Sequence, residues 1–221
     1  MKPVVKICGL SSEETLDAAL AAGADMVGLN FFPASPRFVE IANAGALAER
    51  ARGRADVMAL TVDMDDEGLA AIMESVKPDW LQFHGTETPE RLAEIKKRFK
   101  IKVMKAIGIR EKSDLAGVLR YRKADGLLLD AKPPKGATRP GGNGAPFDWT
   151  ILESFDAGLP YLLSGGLDPR NVGEAVRITG AWGVDVSSGV ETAPGRKDPD
   201  LIRAFIAAAR TTASEPERAP S

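Results

Sequence analysis

The chain carries one cysteine and one histidine, so groups that titrate near neutral pH are scarce in it. Cys8 closes the apolar run Val4-Val5-Lys6-Ile7, and Gly9 and then Ser11-Ser12-Glu13-Glu14 follow, with the spacing of a capped helix start. A reactive side chain at a strand end, just before a turn and a helix, is how α/β proteins present catalytic groups. A thiol placed there serves as a base or nucleophile when cations or helix N-termini lower its pKa. The alternative is a small buried hydrophobe, the usual state of a free cysteine. Asp130 ends another apolar run, Asp125-Gly126-Leu127-Leu128-Leu129. A carboxyl set against an apolar wall keeps its proton more readily, as a general acid must. Lys6 and Lys132 are cations that could tune such groups, though spacing alone does not place them.

A second chemistry is anion binding. Ser164-Gly165-Gly166 and Ser187-Ser188-Gly189 each follow an apolar run. Glycine lets backbone N–H groups approach a phosphate, and serine adds hydroxyl donors. Gly141-Gly142-Asn143-Gly144 is a third candidate, with Gly142, Asn143 and Gly144 as donors; its alternative is a solvated loop. For the two serine-glycine stretches the alternative is a plain turn.

These groups need elements to hold them. Apolar runs of strand length begin near Val4, Met26, Val57, Trp80, Ile101, Gly126, Pro160 and Gly183. Near-continuous apolar strands suit a parallel sheet buried on both faces. A helical pattern or helix-start signal follows each run: Leu16, Ala19 and Leu20 with Gly23 as a stop, a helix around Ile41 to Arg50, a stripe of Leu69, Ile72, Met73 and Val76, Thr88-Pro89 before Leu92, Ile95 and Phe99, Leu115 with Val118 and Leu119, a short helix after Phe147-Asp148-Trp149, Asp168-Pro169, and Asp198-Pro199. Eight βα units without a linker predict one closed (β/α)8 barrel, the TIM-barrel fold, over 1–211, with 212–221 as a frayed tail. An open doubly wound sheet is the competitor, but Cys8-Gly9-Leu10-Ser11 is not a Gly-x-Gly-x-x-Gly turn. In a barrel every strand end meets on one face, which gathers Cys8, Asn30, Asp63, His84, Asp130, Ser164 and Asp185. Residues 131–147 break the rhythm, and a connection that long is usually functional or disordered.

Composition narrows the partners. A net charge of -2 makes no electrostatic case for nucleic acid or an anionic membrane. No apolar run reaches membrane-spanning length, and no signal peptide is visible before the first strand, so a cytoplasmic protein is expected. A lone cysteine fits that compartment, and one cysteine with one histidine argues against a zinc site.

Seven motifs, each at or beside a strand end, together resemble the phosphoribosylanthranilate isomerase family of tryptophan biosynthesis. They are Lys6-Ile7-Cys8-Gly9; Gly28-Leu29-Asn30-Phe31 with Ser35-Pro36-Arg37; Gln82-Phe83-His84-Gly85; Leu128-Leu129-Asp130; Gly141-Gly142-Asn143-Gly144 with Phe147-Asp148-Trp149; Ser164-Gly165-Gly166-Leu167; and Val184-Asp185-Val186-Ser187-Ser188-Gly189-Val190-Glu191. The resemblance runs to about residue 210 and departs at Asn143, where the family usually carries threonine. It implies an Amadori rearrangement of N-(5-phosphoribosyl)anthranilate to 1-(2-carboxyphenylamino)-1-deoxyribulose 5-phosphate without metal or cofactor. It further implies Cys8 as general base, Asp130 as general acid, Arg37 pairing the anthranilate carboxylate and Asp185 touching substrate near that end. His84 is a substrate-site candidate whose alternatives are a structural strand-end hydrogen bond or a core position. The implied partner is a phosphorylated aminosugar, and the chain a monomer or homodimer. Another sugar-phosphate barrel enzyme, an epimerase or an aldolase using Lys105, remains a rival, as does a non-catalytic phosphate-ligand barrel.

Overall fold

The computed structural model describes residues 2–132 and 147–211. Eight parallel strands, β1 (Val4–Cys8), β2 (Met26–Asn30), β3 (Asp56–Thr61), β4 (Trp80–Phe83), β5 (Lys102–Ile109), β6 (Gly126–Ala131), β7 (Tyr161–Leu163) and β8 (Gly183–Val186), pair in sequence order and close, β8 on β1, into a barrel. Closure sets Lys6 opposite Asp185, and the β1–β2 register sets Cys8 opposite Gly28.

Strand alternation divides the side chains into two sets. Val5, Ile7, Val27, Leu29, Leu81, Val103, Leu127, Leu129 and Val184 point outward into the layer shared with the helices. That layer is met by Leu16 and Ala19 of α1 (Glu13–Ala21), Leu47 of α2 (Ile41–Ala51), Leu69 and Ile72 of α3 (Asp66–Ser75), and Leu92 and Ile95 of α4 (Pro89–Phe99). Leu115 and Val118 of α5 (Leu115–Val118), Val172 and Ala175 of α6 (Val172–Thr179), and Ile202, Phe205 and Ile206 of α7 (Pro199–Thr211) complete it. The inward set begins with an apolar floor of Met26, Met58, Trp80, Met104, Leu128 and Leu162. Two residues beyond Val4, Trp80, Leu128 and Leu162, the side chains of Lys6, Gln82, Asp130 and Ser164 are buried and polar, and Asp185 joins them. The barrel is apolar at its base and polar toward the strand C-termini.

Local signals mostly act as read. Thr88 caps α4 through the Arg91 amide with Pro89 in the first turn, and Asp198 accepts from the amides of Asp200 and Leu201 at the start of α7. At α1 the cap is Ser12, which takes the Thr15 amide, one residue later than the Ser11–Glu14 box suggests. Asp168 does not cap α6; it accepts from the Arg170 amide in a preceding turn, and the helix starts at Val172 after Asn171. After β6 the expected helix is only a 3-10 turn, Trp149–Leu152, because the chain reverses at once through Ser154 at φ 60. A hairpin not foreseen in the sequence, β9 (Glu191–Ala193) and β10 (Arg196–Lys197), follows β8. The expected tail, 212–221, lies outside the described residues.

A recurring carboxylate ties strand starts together. Asp25, Asp79 and Asp125, each just ahead of an even-numbered strand, accept the amides of Val5, Val57 and Val103 on the strands before them. At the same end, Arg210 of α7 donates to the Pro3 and Gly23 carbonyls and to Asp25, which fastens the last helix under the first strand.

Candidate active site

Cys8 faces inward at the end of β1 and is 5% exposed. Its sulfur has room because its β2 neighbour is glycine: a Cβ on Gly28 would lie 2.9 Å from it. Directly below, on the same face of β1, Lys6 is fully buried and its ammonium donates to Asp185 Oδ1 at 2.7 Å and Gln82 Oε1 at 2.8 Å. Burial pulls the lysine pKa down, but Asp185 and Cys8 outweigh it, so Lys6 sits above its ordinary value and stays charged. For Cys8 burial pushes the thiol up, Lys6 and Lys197 pull it down, and Asp185 pushes it up again; the net is raised. The thiolate here depends on its cations.

Gln82 carries the network onward. A lysine ammonium can only donate, so the glutamine oxygen must face Lys6 and its amide nitrogen must face His84 Nδ1, 3.3 Å away. An amide nitrogen also only donates, so Nδ1 is the acceptor and the neutral ring carries its hydrogen on Nε2. Nε2 lies 3.4 Å from Asp130 Oδ2, longer than a well-formed hydrogen bond. At the other end of the chain of contacts, Ser164 donates its hydroxyl to Asp185 Oδ2 at 2.9 Å. Ser164, Asp185, Lys6, Gln82, His84 and Asp130 form one polar line across the barrel.

Arg37, on the loop after β2, is buried and held by Glu191, Nε to Oε1 at 2.7 Å and Nη2 to Oε2 at 2.8 Å. Glu191 also takes Lys197 at 2.6 Å. Lys197 donates to the Ser187 carbonyl and hydroxyl, and that hydroxyl donates to the Cys8 carbonyl. Two glycines let these loops meet. A Cβ on Gly9 would press on the Arg37 side chain at 2.6 Å, and one on Gly195 would reach Pro36 O at 2.3 Å.

The serine-glycine loops after β7 and β8 lie side by side at the same mouth. A Cβ on Gly165 would sit 2.4 Å from the Ala131 amide nitrogen and 2.9 Å from Asp130 Oδ1. One on Gly189 would lie 1.8 Å from Leu167 O. Both glycines are therefore required by packing, whatever they bind. The Ser164 hydroxyl is spent on Asp185 and that of Ser187 on Cys8, so of the serines in these two loops Ser188, which also lines the cavity, is the one whose hydroxyl is not committed to these contacts. Gly142, Asn143 and Gly144 lie outside the described residues.

All of this surrounds one cleft at the barrel mouth, open to solvent and lined by Cys8, Asn30, Arg37, Gln82, His84, Asp130, Ser164, Gly165, Gly166, Asp185, Ser187 and Ser188. Asp63, the other strand-end candidate, turns away at φ 47 to accept Thr86. Lys132 leaves to pair Asp114. Lys105 lies outside the barrel wall, bound to Glu87 and the Phe83 and Gly85 carbonyls, which removes the candidate Schiff-base lysine from the cavity. Among the described residues no group of three His, Cys, Asp or Glu gathers as a metal ion needs. Sequence reasoning missed Gln82, Glu191 and Lys197 as working parts. The period of two through His84 points inward at Gln82, and the same period through Cys8 would have placed Lys6.

The family model for N-(5'-phosphoribosyl)anthranilate isomerase matches residues 5–208. The chain belongs to that family. It is 62% identical over 209 residues to the N-(5'-phosphoribosyl)anthranilate isomerase of Rhodopseudomonas palustris strain BisA53, covering 94% of this chain and 96% of that one. It is 57% identical to the Nitrobacter winogradskyi enzyme over 222 residues, covering 100% and 99%. Among solved structures, the phosphoribosyl anthranilate isomerase of Thermotoga maritima superposes with a TM-score of 0.86 at 33% identity, covering 95% and 99%. Another superposes with a TM-score of 0.83 at 32% identity and the same coverage, and is a complex with reduced 1-(o-carboxyphenylamino)-1-deoxyribulose 5-phosphate. The chain is an isomerase of tryptophan biosynthesis acting on N-(5'-phosphoribosyl)anthranilate.

Proposed function

We propose that Cys8 is the general base and Asp130 the general acid of this Amadori rearrangement. The observation that carries the reading is their convergence: the only cysteine and a buried carboxyl line one cavity and are joined through Lys6, Gln82 and His84. Asp130 gives its proton to the furanose oxygen as the C1–O bond breaks and the nitrogen lone pair forms C1=N. The iminium acidifies the sugar C2–H, and the Cys8 thiolate takes that proton while the electrons form C1=C2. The enol then loses its hydroxyl proton as C1 gains one, which yields the ketose. His84 Nε2–H, directed at Asp130 Oδ2, leaves Oδ1 to carry the transferable proton and eases the charge left behind.

Arg37 takes the anthranilate carboxylate, and Asp185 contacts substrate near that end. The phosphate lies on Gly165, Gly166, Ser188 and Gly189, with Ser164, Ser187, Gly142, Asn143 and Gly144 completing the loops around it. The Thermotoga maritima relative is dimeric and has also been solved as monomers generated from the dimer; the chain acts as a monomer or homodimer. No described helix is long and apolar enough to cross a membrane, and its single free cysteine suits work in the cytoplasm. The test is the fluorescence decay of phosphoribosylanthranilate on adding purified protein. Decay with wild type and none with Cys8→Ala is expected; normal decay with Cys8→Ala rejects the base.

A further inference from the structure

We propose that Lys6 is a positioning residue for both catalytic groups: its buried ammonium stands beside the Cys8 thiol and, through Gln82, turns His84 toward Asp130. This rests on the acid and base roles just proposed. Three observations support it. Lys6 is a fully buried ammonium inside the barrel, where a charge is expensive to hold. Its ammonium donates to Asp185 on β8 and Gln82 on β4, so the lysine is clamped from both sides rather than free to reach substrate. Gln82 passes a fixed polarity on, because a donor-only lysine leaves its amide nitrogen for His84.

The charged groups facing Cys8 are Lys6 from β1, Asp185 from β8 and Lys197 from β10, while the adjoining β2 presents Gly28. Of the two lysines, Lys6 has the stronger pull on the thiol. Remove it and burial is opposed by Lys197 alone, while Asp185 loses its partner and repels the thiolate. The thiol would then give up its proton still less readily. At the acid the effect is orientational. With Lys6 gone, either end of the Gln82 amide can face His84, and the Nε2–H tautomer is no longer enforced.

The chain's composition makes the test clean, since one cysteine and one histidine give single-site readouts. The untagged protein is alkylated with iodoacetamide across a pH range, and the 15N spectrum of labelled histidine is recorded. In Lys6→Met the alkylation midpoint should rise by about one pH unit or more, with the neutral-pH alkylation rate down about tenfold. The histidine should leave its single Nε2–H pattern, and Lys6→Arg should recover most of both. A wild-type midpoint in folded Lys6→Met overturns the thiol half, and a wild-type histidine spectrum overturns the Gln82 half. Should Lys6→Met not fold, Lys6→Met/Asp185→Asn leaves no unpaired ion and is judged by the same two criteria, with a smaller midpoint rise because the Asp185 repulsion goes too. Neither readout uses turnover, so loss of the Cys8 base role, seen as normal turnover in Cys8→Ala, is a separate result.

Discussion

Glu191 holds Arg37 along one edge of its guanidinium, taking Nε and Nη2. A guanidinium has five N–H donors. The edge formed by Nη1 and the second Nη2 hydrogen stays free, and that edge suits a planar carboxylate bidentately. Arg37→Ala should thus weaken substrate binding by about 1.5–3 kcal/mol, with phosphate inhibition little changed. It should also lower the melting temperature, because a buried Glu191 loses its fork. Steady-state kinetics with a substrate lacking the carboxylate checks the first point: that compound should bind both proteins alike. A kcat loss alone, with unchanged KM, would reject the role.

Asp130→Asn preserves shape and loses the proton. Its kcat should fall by roughly 100-fold or more with KM nearly unchanged. Normal turnover in this variant would move the acid elsewhere.

Cys8→Ser keeps a small polar side chain in the space that Gly28 leaves. Turnover should nearly vanish while a reduced product analogue still binds, since a base acts mainly in the transition state. Calorimetric titration of the analogue beside a turnover assay makes the comparison.

The phosphate loops call for a different probe from their glycines. Gly189→Val and even Gly189→Ala should unfold or strongly destabilise the loop, given the 1.8 Å approach to Leu167 O. Gly165→Val should cost kcat as well as KM, because its Cβ would press on Asp130. Ser188→Ala removes a hydroxyl without steric cost and should weaken inhibition by inorganic phosphate about 3- to 10-fold, with kcat retained. An unchanged phosphate inhibition constant would place the anion outside this loop.

Acid should loosen the Arg37 cluster. Burial pushes the Glu191 carboxyl up, but Arg37 and Lys197 outweigh it and hold it below its ordinary 4.5. A depressed carboxylate contributes stability that is complete above its unfolded value and is lost as pH falls through the folded one. Thermal melts should therefore decline below about pH 4.5, and Glu191→Gln should flatten part of that decline. Equal slopes in both proteins would count against it.

Much of the barrel was readable because buried parallel strands announce themselves as apolar runs. The start residues of β1, β2, β4, β6 and β8 match those runs. The helix after β6 failed because the stretch before Ser154 is too short to make α-helical turns. Strand ends also located the cavity, since Cys8, His84, Asp130, Ser164 and Asp185 line it. Asp63 did not join them, because its backbone turns left-handed to serve the β4 loop. What the sequence hid was pairing across the chain: Lys6 with Asp185 is an encounter over 179 positions, and Arg37 with Glu191 spans 154. Single-strand patterns carry parity but not the identity of a distant partner.

The closing of β8 on β1 has a consequence for the order of synthesis. The strand bearing Cys8 is made before the other seven barrel strands, and its neighbour β8 after them. Until Asp185 and the Glu191 hairpin emerge, Lys6 has no carboxylate, Arg37 no anchor and the cysteine no walled cavity. A nascent chain thus carries an exposed, ordinary thiol and no active centre. Such long-range closure is also slow to form, because its loop entropy is met only at the end. The catalytic mouth is complete only when β8 docks against β1.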